Sequence, residues 1–212
     1  MPNDASTMSL GTPTDRAEED RASVFAGRTE EDRALVLAAR SDTAAAGQLF
    51  DKYYPEIFRY VYHSTLDHAV TEDLTSNVFF SAFRHLGRFR WRRIPFRAWL
   101  YRIATNELRM HYRKQKRRSA ANGSPVDPEL PSAVSSADTI AAEQDDYRLL
   151  QRALLELGQK YRTVIVLRYF EGRSLSEICE ITNKREGTIK SLLHRALAQL
   201  KDALVRAGLT LP

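Results

Sequence analysis

Lys190, Ser191, His194 and Arg195 fall on one side of a segment whose other side holds Ile189, Leu192, Leu193, Ala196, Leu197 and Leu200. The spacing predicts an amphipathic helix with the six apolar side chains inward and the four polar ones outward. Lysine, arginine, serine and histidine can hydrogen-bond to phosphates and base edges, so this outer face suits duplex DNA. Arg185 and Thr188 continue it toward the helix start. Just upstream, Ser174 and Glu177 have capping-box spacing, and Asn183 is a residue that adopts positive φ cheaply. A short helix, a tight turn and a longer helix with a basic outer face make a helix-turn-helix. Glu171-Gly172 marks the end of the helix before it, the glycine standing where a left-handed residue is wanted.

A second set of polyanion-binding side chains lies upstream. Residues 88–118 carry twelve basic residues and one acid, Glu107. Arg88, Phe89, Arg90, Trp91, Arg92 and Arg93 alternate rings with guanidinium groups ahead of Pro95. Aromatics on a loop amid arginines suit stacking on unpaired bases. After the proline the spacing predicts a helix from about Phe96, with Phe96, Trp99, Leu100 and Ile103 in the core. Arg102, Arg109, Arg113 and Lys116 share another side, with Arg117 following. A third set, Asp73, Asn77, Phe80 and Arg84, recurs at helical spacing on a face separate from the apolar Val78, Phe79, Ala82, Phe83 and Leu86. A phenylalanine on a polar face suits docking against another protein.

The rest of the chain must position these sets. Residues 1–32 hold eight acids against three arginines and read as a disordered acidic leader. Residues 119–146 hold six acids, no lysine or arginine, and several prolines and serines; they read as an acidic inter-domain linker. Two folded pieces remain, 33–118 and 147–206. Neither alternates with period two and both show helical spacing, so the expected fold is all-α: two small helical domains, the second a helix-turn-helix. Leu49, Tyr53, Ile57 and Val61 define a further helix, with a kink or a new start expected at Pro55. A helix over about Thr71 to Leu86 follows.

Composition removes several classes. The single cysteine, Cys179, excludes an internal disulfide and a cysteine metal cage. The five histidines lack metal-ligand spacing, so no metal and no cofactor are expected. There is no glycine-rich phosphate loop, and the basic block holds a single carboxylate, which argues against a metal-dependent nuclease. No apolar run is long enough to span a bilayer and no secretory segment opens the chain, so a cytoplasmic protein with no membrane insertion is expected.

"TEDLTSNVFFSAFRHLGRFR" with "FRAWLYRIATNELRMHYRKQKRR", and after the linker "LGQKYRTVIVLRYFEGRSLSEICEI" with "EGTIKSLLHRAL", resemble the two domains of bacterial RNA polymerase sigma factors of the extracytoplasmic-function (ECF) group. The resemblance covers about residues 33–206. It implies a non-enzymatic subunit that joins core RNA polymerase and reads promoter DNA. The second domain would take the upstream (minus-thirty-five) element as duplex, through Arg185, Thr188, Lys190, Ser191, His194 and Arg195. The first would open the minus-ten element and hold the single-stranded non-template strand, with the loop from Arg88 to Pro95 flanking a flipped base. Asp73, Leu74, Asn77, Phe80 and Arg84 would grip the polymerase, and an anti-sigma factor is a further implied partner. Ser76-Asn77, Phe89-Arg90-Trp91 and Lys184-Arg185 depart from the family's usual residues; Arg185 cannot cap the recognition helix as serine would. The alternative reading is a stand-alone helix-turn-helix regulator of duplex DNA.

Overall fold

The computed structural model describes residues 32–91, 94–122 and 141–208, and all its described regular elements are helical. The described chain starts in a short helix, α1 (residues 32–38). Asp32, the last residue of the expected leader, is buried here. It accepts a hydrogen bond from the Tyr53 hydroxyl, and Lys52 Nζ lies 2.7 Å from its carboxylate. Folded structure therefore reaches back into the acidic segment.

Asp42 opens α2 (Thr43–Thr65) from an extended backbone, its carboxylate accepting from the Ala44 N–H. The stripe Leu49, Tyr53, Ile57 and Val61 is buried, as the spacing predicts. The helix does not restart at Pro55, which stands within it. Pro55 is exposed, so the carbonyl left without an N–H partner belongs to the solvent side of the helix. Leu66 ends α2 in the left-handed conformation, and Asp67 caps α3 (His68–His85) by accepting from the Val70 N–H at 3.0 Å. That cap sets the start three residues before Thr71. A 3₁₀ turn, Leu86–Arg88, leads into the loop before α4 (Phe96–Asn122).

In the C-terminal unit, α5 (Ala141–Glu156) and α6 (Gln159–Ile165) lead into a π turn at Val166–Phe170. Gly172 then takes φ +63°. α7 (Leu175–Thr182) has the full capping box between Ser174 and Glu177, and Asn183 ends it at φ 54°. α8 (Glu186–Arg206) follows Arg185, which makes no side-chain cap. The helix-turn-helix is thus built as its turn residues predict. Both α4 and α5 run past the expected limits of the linker.

The units do not stand apart. α2 and α4 pack against the π turn and α7, and one hydrophobic cluster runs from Val36 and Leu49 through Leu100 and Leu154 to Ile189 and Ala196. Buried charge crosses the same junction. Glu171 receives Arg59 Nε at 3.1 Å and Nη2 at 2.8 Å, and the Tyr101 hydroxyl at 2.9 Å. Glu56 pairs with Arg97 and Arg173. Arg162 is buried and donates to the carbonyls of Ser64, Leu154, Leu155 and Leu157 and to the Tyr112 hydroxyl. Desolvation lowers the Arg162 pKa, opposed by Tyr112.

Candidate nucleic-acid interface

The outer face of α8 is built as its spacing implies. Arg185, Thr188, Lys190, Ser191, His194 and Arg195 are all exposed, while Ile189, Leu193 and Ala196 are buried beneath them. Leu197, expected inward, is 43% exposed. α8 packs on α6 and α7 and also on α5; Leu197 falls beside the line through Leu193, Ala196 and Leu200 rather than on it. Lys190 Nζ lies 2.6 Å from Glu186 one turn back, and the Ser191 hydroxyl donates to the Gly187 carbonyl at 2.9 Å. The Glu186 hydrogen bond raises the Lys190 pKa, so this side chain stays cationic. The first backbone bonds into α8 come from the Thr188 and Ile189 N–H groups to the Arg185 carbonyl. With no side-chain cap, the N–H groups of Glu186 and Gly187 point outward from the helix start, beside Arg185.

On α4 the outcome is divided. Arg109, Arg113 and Arg117 are exposed, but Arg102 is half-buried and its guanidinium donates to the Glu180 carbonyl at the end of α7. It faces the helix-turn-helix rather than solvent, which corrects its placement beside Arg109. The loop also differs from expectation. Phe89 is only 4% exposed, with its ring 5.6 Å from Phe96 and 4.9 Å from Trp99. Its ring is packed into the core and leaves no surface open for a base to stack on. Trp91 is half-buried, edge-on to Phe89 at 5.4 Å. Arg88 and Arg90 are exposed, and Arg90 donates to the Gly87 carbonyl at 3.0 Å, tying down the 3₁₀ turn. Arg92 and Arg93 lie outside the described residues.

The reading of the basic block as a loop followed by a helix from about Phe96 did not include a groove beside that helix. Ser81 of α3 and Ile103, Asn106, Glu107 and Met110 of α4 line a concavity of about 420 Å³, with Arg109 and Arg113 at its edge. Positions 103, 106, 107, 110 and 113 follow helical spacing, so the face was readable as a stripe; its depth depends on α3.

The α3 face is sharply divided. Asp73, Asn77, Phe80 and Arg84 are exposed, Phe80 at 68%, whereas Leu74 is 7% exposed and belongs to the core. Leu74 supports the face without being part of it. Among the described residues no group of three or more His, Cys, Asp or Glu could hold a metal ion, and no helix is long and apolar enough to cross a membrane. Cys179 is half-buried against the core, where burial raises its pKa and keeps it a thiol.

Comparison with known proteins matches two stretches of the chain to family models. Residues 49–118 match the family model described as Sigma-70 region 2, and residues 147–200 that described as Sigma-70, region 4. The chain is 32% identical to the ECF RNA polymerase sigma factor BldN of Streptomyces coelicolor, over 76% of this chain and 60% of that protein. It is 33% identical to the ECF RNA polymerase sigma factor SigW of Bacillus subtilis, over 77% of this chain and 90% of that protein. Among solved structures, CnrH in complex with the cytosolic domain of CnrY aligns with a TM-score of 0.60 at 26% identity, covering 83% of this chain and 97% of that one.

Proposed function

The chain belongs to the ECF RNA polymerase sigma factors, non-enzymatic proteins that direct promoter-specific transcription initiation, and from that premise we propose how its surfaces divide the work. The outer face of α8 enters the major groove of the upstream promoter element. Arg185 and the outward N–H groups at the start of α8 take a backbone phosphate, as helix N-termini do, and Thr188, Lys190, Ser191, His194 and Arg195 reach bases and neighbouring phosphates. The face of α4 with Arg109, Arg113 and Arg117 tracks the unpaired non-template strand of the minus-ten element. The groove at Asn106 and Met110, rather than the ring of Phe89, receives a base. Arg88 and Arg90 supply further positive charge at the edge of that path.

Asp73, Asn77, Phe80 and Arg84 dock on core polymerase. An anti-sigma protein that covered Phe80 would exclude the polymerase from this face and silence the factor. The protein works where core polymerase is, in the cytoplasm.

The observation that carries this reading is the separation of the two exposed basic surfaces. One stands on a helix-turn-helix and the other on a helix that lines an open groove of about 420 Å³ with α3. The test is transcription from genomic DNA by core polymerase with and without the purified chain, with start sites mapped. New starts sharing an upstream and a minus-ten sequence are the expected outcome. Start sites identical in the two reactions would overturn the proposal.

A further inference from the structure

Arg40 stands in the turn between α1 and α2, ahead of the residues 49–118 that match Sigma-70 region 2. Its guanidinium Nη2 donates to the Phe89 carbonyl at 3.0 Å, across 49 positions of sequence. Arg90 Nη1 donates to the same oxygen at 3.2 Å and to the Gly87 carbonyl at 3.0 Å. Two exposed arginines from separate parts of the chain therefore meet at one acceptor. The acceptor is held still, because the Phe89 ring is buried against Phe96 and Trp99 and its N–H donates to the Leu86 carbonyl at 3.1 Å. Neither arginine makes an ion pair with a described residue.

A carbonyl is satisfied by neutral donors and needs no cation. Two guanidinium charges side by side repel each other, and their hydrogen bonds to a neutral oxygen do not cancel that repulsion. An anion set against both does. Each guanidinium commits one nitrogen to carbonyls and keeps its remaining N–H donors for a ligand. The two non-bridging oxygens of a phosphodiester can each face one planar fork. Arg88, exposed two residues before Arg90, adds a third cation, so the surroundings favour a chain of phosphates over a single carboxylate.

Resting on the strand-capture reading above, we propose that Arg40 and Arg90 form a binding site for one backbone phosphate of the unpaired strand, with the Phe89 carbonyl spacing the two guanidinium groups. The site supplies affinity and register and reads no base.

The test selects a single-stranded DNA from a random pool for retention by the full chain assembled with core polymerase. That strand is then remade with one phosphodiester at a time replaced by an uncharged methylphosphonate. Replacement at one linkage should weaken wild-type binding by about 5-fold. Arg40→Gln can still donate to the Phe89 carbonyl but carries no charge. It should bind the all-phosphate strand about 5-fold less well and lose the sensitivity at that linkage alone. Its slope of log affinity against log salt should become shallower by about 0.7. Arg90→Gln should lose sensitivity at the same linkage, and Arg40→Lys should recover part of it. A linkage pattern identical in the wild type and Arg40→Gln would overturn the site. So would weakening spread evenly over all linkages with a lowered unfolding midpoint, since Arg40 would then only tie the loop. A wild-type strand with no sensitive linkage lost in either variant would remove the site and leave strand capture standing. Retention no better than that of core polymerase alone would remove both.

Discussion

The junction between the two helical units and the outer face of α8 are both rich in charge, yet they use it in opposite ways. At the junction each acid is held by its own donors: Glu171 by Arg59 and the neutral Tyr101 hydroxyl, Glu56 by Arg97 and Arg173. On α8 the cations are exposed; Lys190 is paired with the equally exposed Glu186 and Arg195 with Tyr161, partners that water and phosphate can reach. Buried charge must be satisfied within the fold, because the low dielectric makes a missing partner expensive. Exposed charge is held in reserve, and its value appears when a phosphate arrives. The comparison teaches that charge count alone does not mark a binding surface; accessible hydrogen-bonding capacity does. Arg102 shows the distinction within α4, since its guanidinium is spent on the Glu180 carbonyl while Arg109 and Arg113 remain exposed.

The severest test of the junction is Arg162→Met. It keeps a long apolar stem but removes the guanidinium from five acceptors; Ser64 retains the Tyr112 hydroxyl and Leu154 the Leu157 N–H, while the carbonyls of Leu155 and Leu157 lose their donor. Unsatisfied buried groups cost about 1–3 kcal/mol each, relieved in part by relaxation, so a loss of about 3 kcal/mol in urea unfolding is expected. A smaller loss follows for Glu171→Gln. The carboxamide retains an acceptor, and Arg59 is half open to water, so about 2 kcal/mol is expected by the same measurement. If both variants unfolded like the wild type, the junction would be no better satisfied than the α8 surface, and the contrast would fail.

These two residues also show where sequence reading ran out. The helix-turn-helix was legible because its signals are local: Ser174 and Glu177 are three residues apart, and Asn183 and Gly172 mark turns by their own backbone preference. The all-helical fold was legible from spacing. Glu171 was read only as the end of a helix, because Tyr101 and Arg59 lie 70 and 112 positions away. The π turn adds a residue before it, shifting its direction by about 100° from the regular α-helical course. Phe89 failed for a related reason. Its sequence neighbours are arginines, but its neighbours in space are Phe96 and Trp99. Groove-lining Ser81 comes from another helix, so the sequence spacing could show the α4 wall of that site but not the α3 side that faces it.

A milder perturbation sharpens the comparison through pH. His63 stacks near Phe170 at the junction, with ring centroids 4.6 Å apart, and its pKa is lowered from 6.5, first by desolvation and then by Arg59, against the pull of Glu171. The folded protein therefore binds this proton less readily than the unfolded chain does. The stabilisation is complete above the unfolded value and is lost as pH falls below it toward the folded one. Unfolding midpoints should fall from about pH 7 to about pH 5, and His63→Phe should reduce that fall. His111, also lowered by burial, contributes in the same direction and accounts for part of the residue. An unchanged pH dependence in His63→Phe would mean that the ring is as free to protonate as an exposed one.

The smallest effect on stability is expected on α8. Lys190→Ala with Arg195→Ala removes exposed charge, and the exposed Lys190–Glu186 pair contributes little to holding a helix that is already packed. The unfolding midpoint should stay where it is. Binding to a promoter duplex should weaken, and the slope of log affinity against log salt should become shallower by about 2 if each cation neutralises one phosphate. This combination separates the two regions more sharply than any junction variant can, because a structural cation would move the midpoint and a DNA-facing one moves the salt slope. An unaltered slope together with a lowered midpoint would reassign Lys190 and Arg195 to the fold, and with them the claim that charge left open on α8 is charge kept for DNA.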